Sequence, residues 1–439
     1  MKKKDYWIKD PSMSEEGRKK IEWSLSQMPV LSSIISEVKR SKPLVGQRVS
    51  ACLHITKETA VLVKALREAG AEVALCASNP LSTQDDVAAA LVDDGVNVYG
   101  WRGMGTREYY TCIGLALSHA PNYTIDDGAD LVTSIHKILL DKMDEPTEIV
   151  KNQLDKDAVE RLREIIGGTE ETTTGVYRLR ALDSEGLLQY PIIAVNDAQS
   201  KGLFDNPIGT GQSALDGVMR ATNMLIAGKH VVVCGFGRVG QGIAERARGL
   251  AAHVTVVEPD PIKALKAYMS GFNVDNMLNA SRYGDLFITA TGNIHVIREE
   301  HFKQMKNGVV LANAGHMDVE IDKNSLSKMA RKVEEIRPCV ERYTLEDGRV
   351  VYLLGEGRLV NLVCAEGHPS EVMDLSFAIQ VKSILYLRGE GGKLGKHVYQ
   401  VPESIDREVA MLKLRSMGIE IETLTEEQVR YLREWAVGT

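Results

Sequence analysis

The stretch Val231–Gly242, VVVCGFGRVGQG, constrains the fold more than any other part of the chain. A β-branched run enters Gly235, Gly237 and Gly240 at G-x-G-x-x-G spacing, and Glu258 follows a little over twenty residues past the first glycine. This predicts a strand that turns tightly into a helix, the start of a dinucleotide-binding βαβ unit. Gly235 makes the turn, Gly237 admits a pyrophosphate close to the backbone, and Gly240 lets the helix pack on the strand. The phosphates then rest on the positive end of the helix. Glu258 would accept from a ribose diol and repel a 2′-phosphate, which selects NAD over NADP.

The rest of the chain alternates in the same style. Before the fingerprint, Gln47–Leu53, Ala71–Ala77, Val96–Trp101 and Tyr123–Ile125 read as strands. Lys57–Ala69, Asp85–Asp94, Thr106–Leu117 and Ala129–Leu140 carry helical periodicity between and after them. After the domain start, Val231–Gly235, Val254–Glu258, Leu286–Thr289 and Val309–Ala312 read as buried parallel strands. The pattern predicts an α/β protein with two doubly wound, Rossmann-like parallel-sheet domains and a helical C-terminal segment. Pro and Gly cluster at Asn206–Gly211 (NPIGTG), which places the boundary there. We expect residues 1–208 with 369–400 to form a substrate domain, 209–368 the cofactor domain, and 401–439 a helical tail that follows a long helix at Glu371–Arg388.

Several classes of function are excluded early. The net charge is −7 without a long run of one sign, which argues against a nucleic-acid or anionic-membrane surface. The start, MKKKDYWIKDPSMSEE, has no apolar stretch of the secretory kind, and no segment approaches a membrane span. Six scattered cysteines without a C-x-x-C pair fit free thiols in a reducing cytoplasm. Ten histidines without an H-x-x-x-H pair indicate no metal centre.

Ligands in open α/β sheets bind beyond the carboxyl ends of the strands. Reading those ends in the first half gives His54, then Ser78-Asn79, then Asp126-Asp127, and later Glu170-Glu171 followed by Thr172-Thr173-Thr174. Each alone has a structural explanation as a turn, a cap or a satisfied histidine. Their recurrence at successive strand ends points to one cleft. Lys201, Asp205 and Asn206 stand at the entrance to the second domain, placed to close that cleft against a nicotinamide.

Read together, these motifs resemble S-adenosylhomocysteine hydrolases over nearly the whole chain. The resemblance rests on LHITKETA (Leu53–Ala60), NPLSTQDD (Asn79–Asp86), IDDGAD (Ile125–Asp130), EETTTGV (Glu170–Val176), VNDAQSKGLFDN (Val195–Asn206), the fingerprint, AGHMDVEID (Ala314–Asp322) and EGRLVNL…GHPS (Glu356–Ser370), in that order and spacing. It implies a tightly held NAD that oxidises the ribose 3′-hydroxyl. The C4′ hydrogen is thereby acidified, homocysteine is expelled from C5′, water adds, and the ketone is reduced again. It implies that Lys201, beside Asp205 and Asn206, handles the 3′-hydroxyl proton; such an amine base needs a lowered pKa. It further implies His54 and Asp127 at C4′ and C5′, Glu171 on the ribose hydroxyls, and His316 near the 3′ oxygen and the nicotinamide of the cofactor. Thr56, Glu58, Thr59 and His368 would surround the adenine. Thr172, Thr173, Thr174, Arg238, Val239, Gln241, Gly242, Lys263, Asn293, Ala314, Gly315, Asn361 and His368 would join the fingerprint glycines and Glu258 around the cofactor.

The chain departs from the family at three points. Thr210 stands where many members carry Cys, and Lys263 where an Asn often touches the adenosine ribose. The sequence ends at YLREWAVGT, without the Lys- and Tyr-bearing extension of many members, a pattern similar to the shorter archaeal and thermophilic branch. The resemblance implies a cytoplasmic homotetramer acting on a small molecule. Three other readings share much of this pattern: an ordinary NAD-dependent dehydrogenase, a silent NAD- and nucleoside-binding regulator, and a hydrolase of S-inosylhomocysteine. A silent regulator is expected to have lost some of His54, Asp127, Glu171, Lys201 or Asp205, and none is lost.

Overall fold

The computed structural model describes residues 6–435. The basic start at 1–5 and the last four residues of the expected C-terminal segment lie outside the described residues. The described chain forms β1 (Arg48–Leu53), β2 (Glu72–Ala77), β3 (Asn97–Tyr99), β4 (Tyr123–Asp126), β5 (Gly167–Glu170), β6 (Ile192–Ala194), β7 (His230–Cys234), β8 (His253–Val257), β9 (Asn273–Val274), β10 (Leu286–Thr289), β11 (Val309–Asn313), β12 (Ala330–Arg337), β13 (Val340–Leu345), β14 (Val350–Leu354) and β15 (Val398–Gln400).

Two sheets result. The first has the order β15-β6-β5-β4-β1-β2-β3 and every pair in it is parallel. The second runs β12-β13-β14-β11-β10-β7-β8-β9. The α/β class and the two doubly wound sheets are as the sequence pattern predicts. Their central strands are near-continuous apolar runs because helices cover both faces; Val231, Val232, Val233 and Cys234 of β7 are fully buried. Among the described residues no helix is long and apolar enough to cross a membrane.

Within the run of parallel strands the order reverses between β1 and β4 in the first sheet and between β7 and β10 in the second. A crevice opens beyond the strand ends at such a switch point. His54 follows β1, Asp127 follows β4, Gly235 follows β7 and Thr291 follows β10, so the two crevices collect the polar strand-end residues.

Three features differ from the sequence pattern. An antiparallel extension, β12–β13–β14, continues the second sheet. Its outer strand, ARKVEEIR, is mostly exposed and charged, which protects a sheet edge but hides the strand from an apolar-run criterion. The chain also returns late to the first sheet, where β15 pairs parallel with β6. Finally, the Pro/Gly cluster at Asn206–Gly211, at the expected boundary, is helical. Lys201–Thr210 is π-helical and runs directly into the Gly211–Thr222 helix.

Glycines permit that helical passage to pack against the fingerprint helix, Arg238–Gly249. A Cβ on Gly242 would lie 1.9 Å from the carbonyl oxygen of Pro207, and one on Gly211 would lie 2.7 Å from the backbone of Gly242. Backbone cannot yield as a side-chain end can. Gly242→Ala is therefore expected to destabilise the protein by about 1–3 kcal/mol, an overpacking cost, read as a lower denaturant or thermal midpoint. A midpoint equal to that of the parent protein would show that the close approach is not needed.

Candidate active site

A single cavity of about 960 Å³ lies between the two sheets. That is near the top of the range for small-molecule sites, roughly 300–1,000 Å³. Residues following β1, β4 and β5 form one wall and residues following β7, β8, β10 and β11 the other. The π-helical segment crosses between them.

His54 lies in the loop after β1. Its Nδ1 is 2.7 Å from Ser82 Oγ, and its backbone carbonyl accepts from Thr59 Oγ1 at 2.6 Å. Its Nε2 is 3.6 Å from Asp127 Oδ2. Burial, with the charge of His368 adding to it, pushes the imidazole down to about 3. Asp127 faces His316 on the other side, with Oδ1 3.6 Å from Nδ1. Burial raises the Asp127 carboxyl and lowers the His316 imidazole. The two loops meet closely: a Cβ on Gly128, whose φ is +105°, would lie 2.2 Å from His316 Nε2.

Lys201 is the buried cation of the site. Its Nζ donates to Asp205 Oδ1 at 3.1 Å and Asn206 Oδ1 at 2.9 Å, and lies 3.8 Å from Glu171 Oε1. The lowered amine pKa expected from burial is not what the structure gives. Burial works in that direction, but Asp205, Glu171 and Asp127 outweigh it and raise the pKa. Burial in turn lifts Glu171 to about 7, against the pull of Lys201. Two side chains of the Ser370–Glu390 helix hold Glu171: Ser376 Oγ donates to Oε1, and Gln380 Nε2 donates to Oε2 at 2.6 Å.

Thr172 caps the helix Thr173–Ser184 by accepting from Gly175 N–H, while Thr173 Oγ1 donates to Asn196 Oδ1 at 3.1 Å. Thr56 caps the Lys57–Glu68 helix, with Thr59 close by. Glu58, in the first turn, is buried at 2% exposure rather than lying on the surface. Thr210 Oγ1 is 3.0 Å from His368 Nε2, and His368 Nδ1 is 3.4 Å from Asp205 Oδ2.

The second sheet's wall fits a dinucleotide. Glu258 accepts from the N–H groups of Phe236 (2.6 Å) and Asp260 (3.0 Å), which fixes it at the end of β8 with lone pairs to spare. The space above Gly237 is open: a Cβ there would meet nothing within 4 Å. Asn361 Oδ1 is buried in the wall without a partner, an acceptor left for a ligand.

The sequence-selected residues His54, Thr56, Glu58, Thr59, Asp127, Glu171, Thr172, Thr173, Thr174, Lys201, Asp205, Asn206, Gly235, Gly237, Arg238, Val239, Glu258, Lys263, Asn293, Ala314, Gly315, His316, Asn361 and His368 all line this cavity, as does Thr210. Gly240, Gln241 and Gly242 do not. A Cβ on Gly240 would strike Gly235 O at 2.0 Å, so it is a packing glycine. Gln241 accepts from Lys266 at 2.8 Å and donates to Glu245, both on the outer surface. Gly242 serves the contact with Pro207.

Ser82, Ser376, Gln380 and Glu366 escape sequence reasoning. Ser376 and Gln380 had a readable sign, two polar residues four apart on an otherwise apolar helix face. Histidine spacing likewise misses that His54, Asp127 and His316 offer ligand atoms within 4.8 Å of one another, since three separate loops supply them. All six cysteines are free thiols.

The sequence profile of the S-adenosyl-L-homocysteine hydrolase family matches residues 5–438. An adenosylhomocysteinase of Pyrobaculum aerophilum is 57% identical, over 98% of this chain and 99% of its own. One of Sulfurisphaera tokodaii is 53% identical, over 99% of this chain and all of its own. An S-inosyl-L-homocysteine hydrolase of Methanopyrus kandleri is 52% identical, over all of this chain and 99% of its own.

A histidine whose pKa is near 3 stays neutral at every pH at which the enzyme is handled. The His54 ring nitrogens are therefore expected not to titrate between pH 5 and 8, as followed by imidazole NMR shifts assigned through His54→Gln. A midpoint near the ordinary histidine value of about 6.5 would contradict the dominance of burial at this imidazole.

Proposed function

The chain belongs to the S-adenosyl-L-homocysteine hydrolase family, and we propose that its cavity hydrolyses S-adenosyl-L-homocysteine to adenosine and homocysteine with NAD as the resident dinucleotide. The observation that carries the reading is the convergence of Glu171, Asp127 and His54 beyond the first sheet and Lys201 of the crossing helical segment on one cavity with Gly237, Glu258 and Asn361 of the second half. Residues 1–208 with 369–400 act as the substrate half and 209–368 as the cofactor half. Such a chain works as a cytoplasmic homotetramer.

NAD, when bound, supplies reversible oxidation of the ribose 3′-hydroxyl. The chain's own residues do the rest. Glu258 and Asn361 hold the dinucleotide, and Thr172, Thr173 and Thr174 reach it from the facing wall. Glu171 orients the ribose hydroxyls, itself fixed by Ser376 and Gln380. Lys201 enters as an ammonium and relays protons between the 3′ oxygen and Glu171, whose carboxyl near 7 is poised to accept or release one. Asp127 and the neutral His54 move the protons at C4′ and C5′. His316 closes over Gly128 beside them and helps exclude water, which an elimination and readdition sequence requires.

The direct test is redox-neutral turnover. Thiol should accumulate over many turnovers of S-adenosylhomocysteine while no free reduced nicotinamide appears. Release of reduced nicotinamide in step with product would favour a dehydrogenase instead.

The Lys201 role makes a separate expectation. Lys201→Met should bind substrate with a dissociation constant near that of the parent protein and lose kcat by about 10²–10⁴, the usual cost of a missing acid-base group. Turnover within a few-fold of the parent protein would remove Lys201 from the proton path.

A further inference from the structure

The purine end of the cavity contains a chain of charges that the reaction itself does not use. Oε1 of Glu58 accepts from Ser370 Oγ at 2.6 Å and faces Lys57 Nζ at 3.2 Å. Lys57 donates on to Glu366 Oε2 at 3.0 Å, and Glu366 Oε1 accepts from Arg220 at 3.1 Å. Lys57 is buried at 8% exposure, and Glu366 lines the same cavity as Glu58. Burial opposes the Lys57 charge, but the two carboxylates outweigh it and raise its pKa. Oε2 of Glu58 makes no hydrogen bond among the described residues.

This arrangement uses up one carboxylate oxygen and leaves the other. Taking as its basis the reading that Glu58 meets the purine, we infer that Lys57 is a specificity-determining residue, which locks Oε1 of Glu58 between Ser370 and the Glu366 pair so that Oε2 cannot turn away from the purine 6-position. An ionised carboxylate only accepts hydrogen bonds. Adenine presents an N6 donor there and hypoxanthine an O6 acceptor. A carboxylate free to rotate escapes an opposed acceptor, whereas a locked one bears the full cost of the clash and of its own unpaired, desolvated oxygen. The lock therefore converts a weak preference into selection against the inosyl substrate. Glu366 is a positioning residue in this scheme: half-exposed itself, it holds Lys57 at Glu58.

A merely structural ion pair would alter both substrates alike, so the ratio of kcat/KM for S-adenosylhomocysteine over S-inosylhomocysteine is the readout. The parent protein is expected to favour the adenosyl substrate by at least roughly tenfold, as sites built around a substrate hydrogen bond do. Lys57→Met should narrow that ratio by about tenfold, Glu366→Gln should narrow it less, and Lys57→Arg should largely restore it. Glu58→Gln, whose amide can donate to O6, should narrow it as well. If Lys57→Met does not fold, Glu366→Gln carries the same comparison. A Lys57→Met ratio equal to that of the parent protein, with Glu58→Gln still narrowing it, overturns the lock and leaves Glu58 at the purine. A parent protein without preference, or a ratio untouched by Glu58→Gln, overturns the Glu58 reading and the lock with it.

Discussion

The site is organised around one buried ammonium among too many carboxylates. Lys201 meets Asp205 and Glu171 directly and feels Asp127 beyond them. One cation cannot neutralise three carboxylates taken out of water, and the burial penalty of each carboxylate is several kcal/mol. The structure relieves the excess unevenly. Asp205 stays well below the ordinary range because Lys201 and His368 overcome its burial. Glu171 and Asp127 are instead pushed upward by burial. The remaining negative surplus suits a cationic ring in the adjoining space, which is what an oxidised nicotinamide is.

The winding of the backbone makes this cluster possible. Lys201 reaches Asp205 at i+4 and Asn206 at i+5 simultaneously. A regular α-helix aligns i+4 but carries i+5 round to another face; the wider π-turn of Lys201–Thr210 serves both. Pro207 has no N–H to give, which removes an ordinary intrahelical bond within this stretch. Gly209 keeps the wide turn close to its neighbours, since a Cβ there would lie 3.1 Å from Val372 and 3.2 Å from His368. The Pro and Gly content that suggests a domain-boundary loop is thus the composition of an irregular helix, a distinction that composition does not carry.

Much of the fold and the site is legible in the sequence, for a physical reason. Buried parallel strands are mostly apolar, interrupted here by small hydroxyl residues such as Ser50, Thr124 and Thr169, so a histidine or acidic residue marks the strand's carboxyl end, beyond which ligands bind. His54, Asp127 and Glu171 are found in this way. What stays hidden is whatever acts across long sequence distance or through packing. Ser376 and Gln380 reach Glu171 from some two hundred residues away. Glu366 meets Lys57 across a gap of 309 residues. Gly242 adds to the glycine signature of a phosphate loop, but its missing side chain makes room for the Pro207 backbone and not for ligand. The charged β12 hides because an edge strand is selected for solubility and not for burial.

Two acidic doublets show how the same strand-end rule builds rigidity beneath reactivity. Asp126-Asp127 and Glu170-Glu171 end neighbouring parallel strands, with Asp126 beside Glu170 in register. Successive residues at a strand end point to opposite sides. The second member of each pair faces the cavity. The first turns inward and collects backbone donors: Asp126 accepts from Asp127 N–H at 2.9 Å and Val132 N–H at 2.7 Å, and Glu170 accepts from Gly128 N–H and Thr172 N–H, both at 2.9 Å. Glu170 therefore ties the loop bearing Asp127 to the turn bearing the cavity-lining threonines. Burial raises both inner carboxyls, Asp126 to about 7, so these adjacent groups can share the interior without two full charges. The inner residues thus hold the geometry that the outer ones need. A single acidic residue at either strand end could supply the cavity-facing carboxyl or the anchor, but not both.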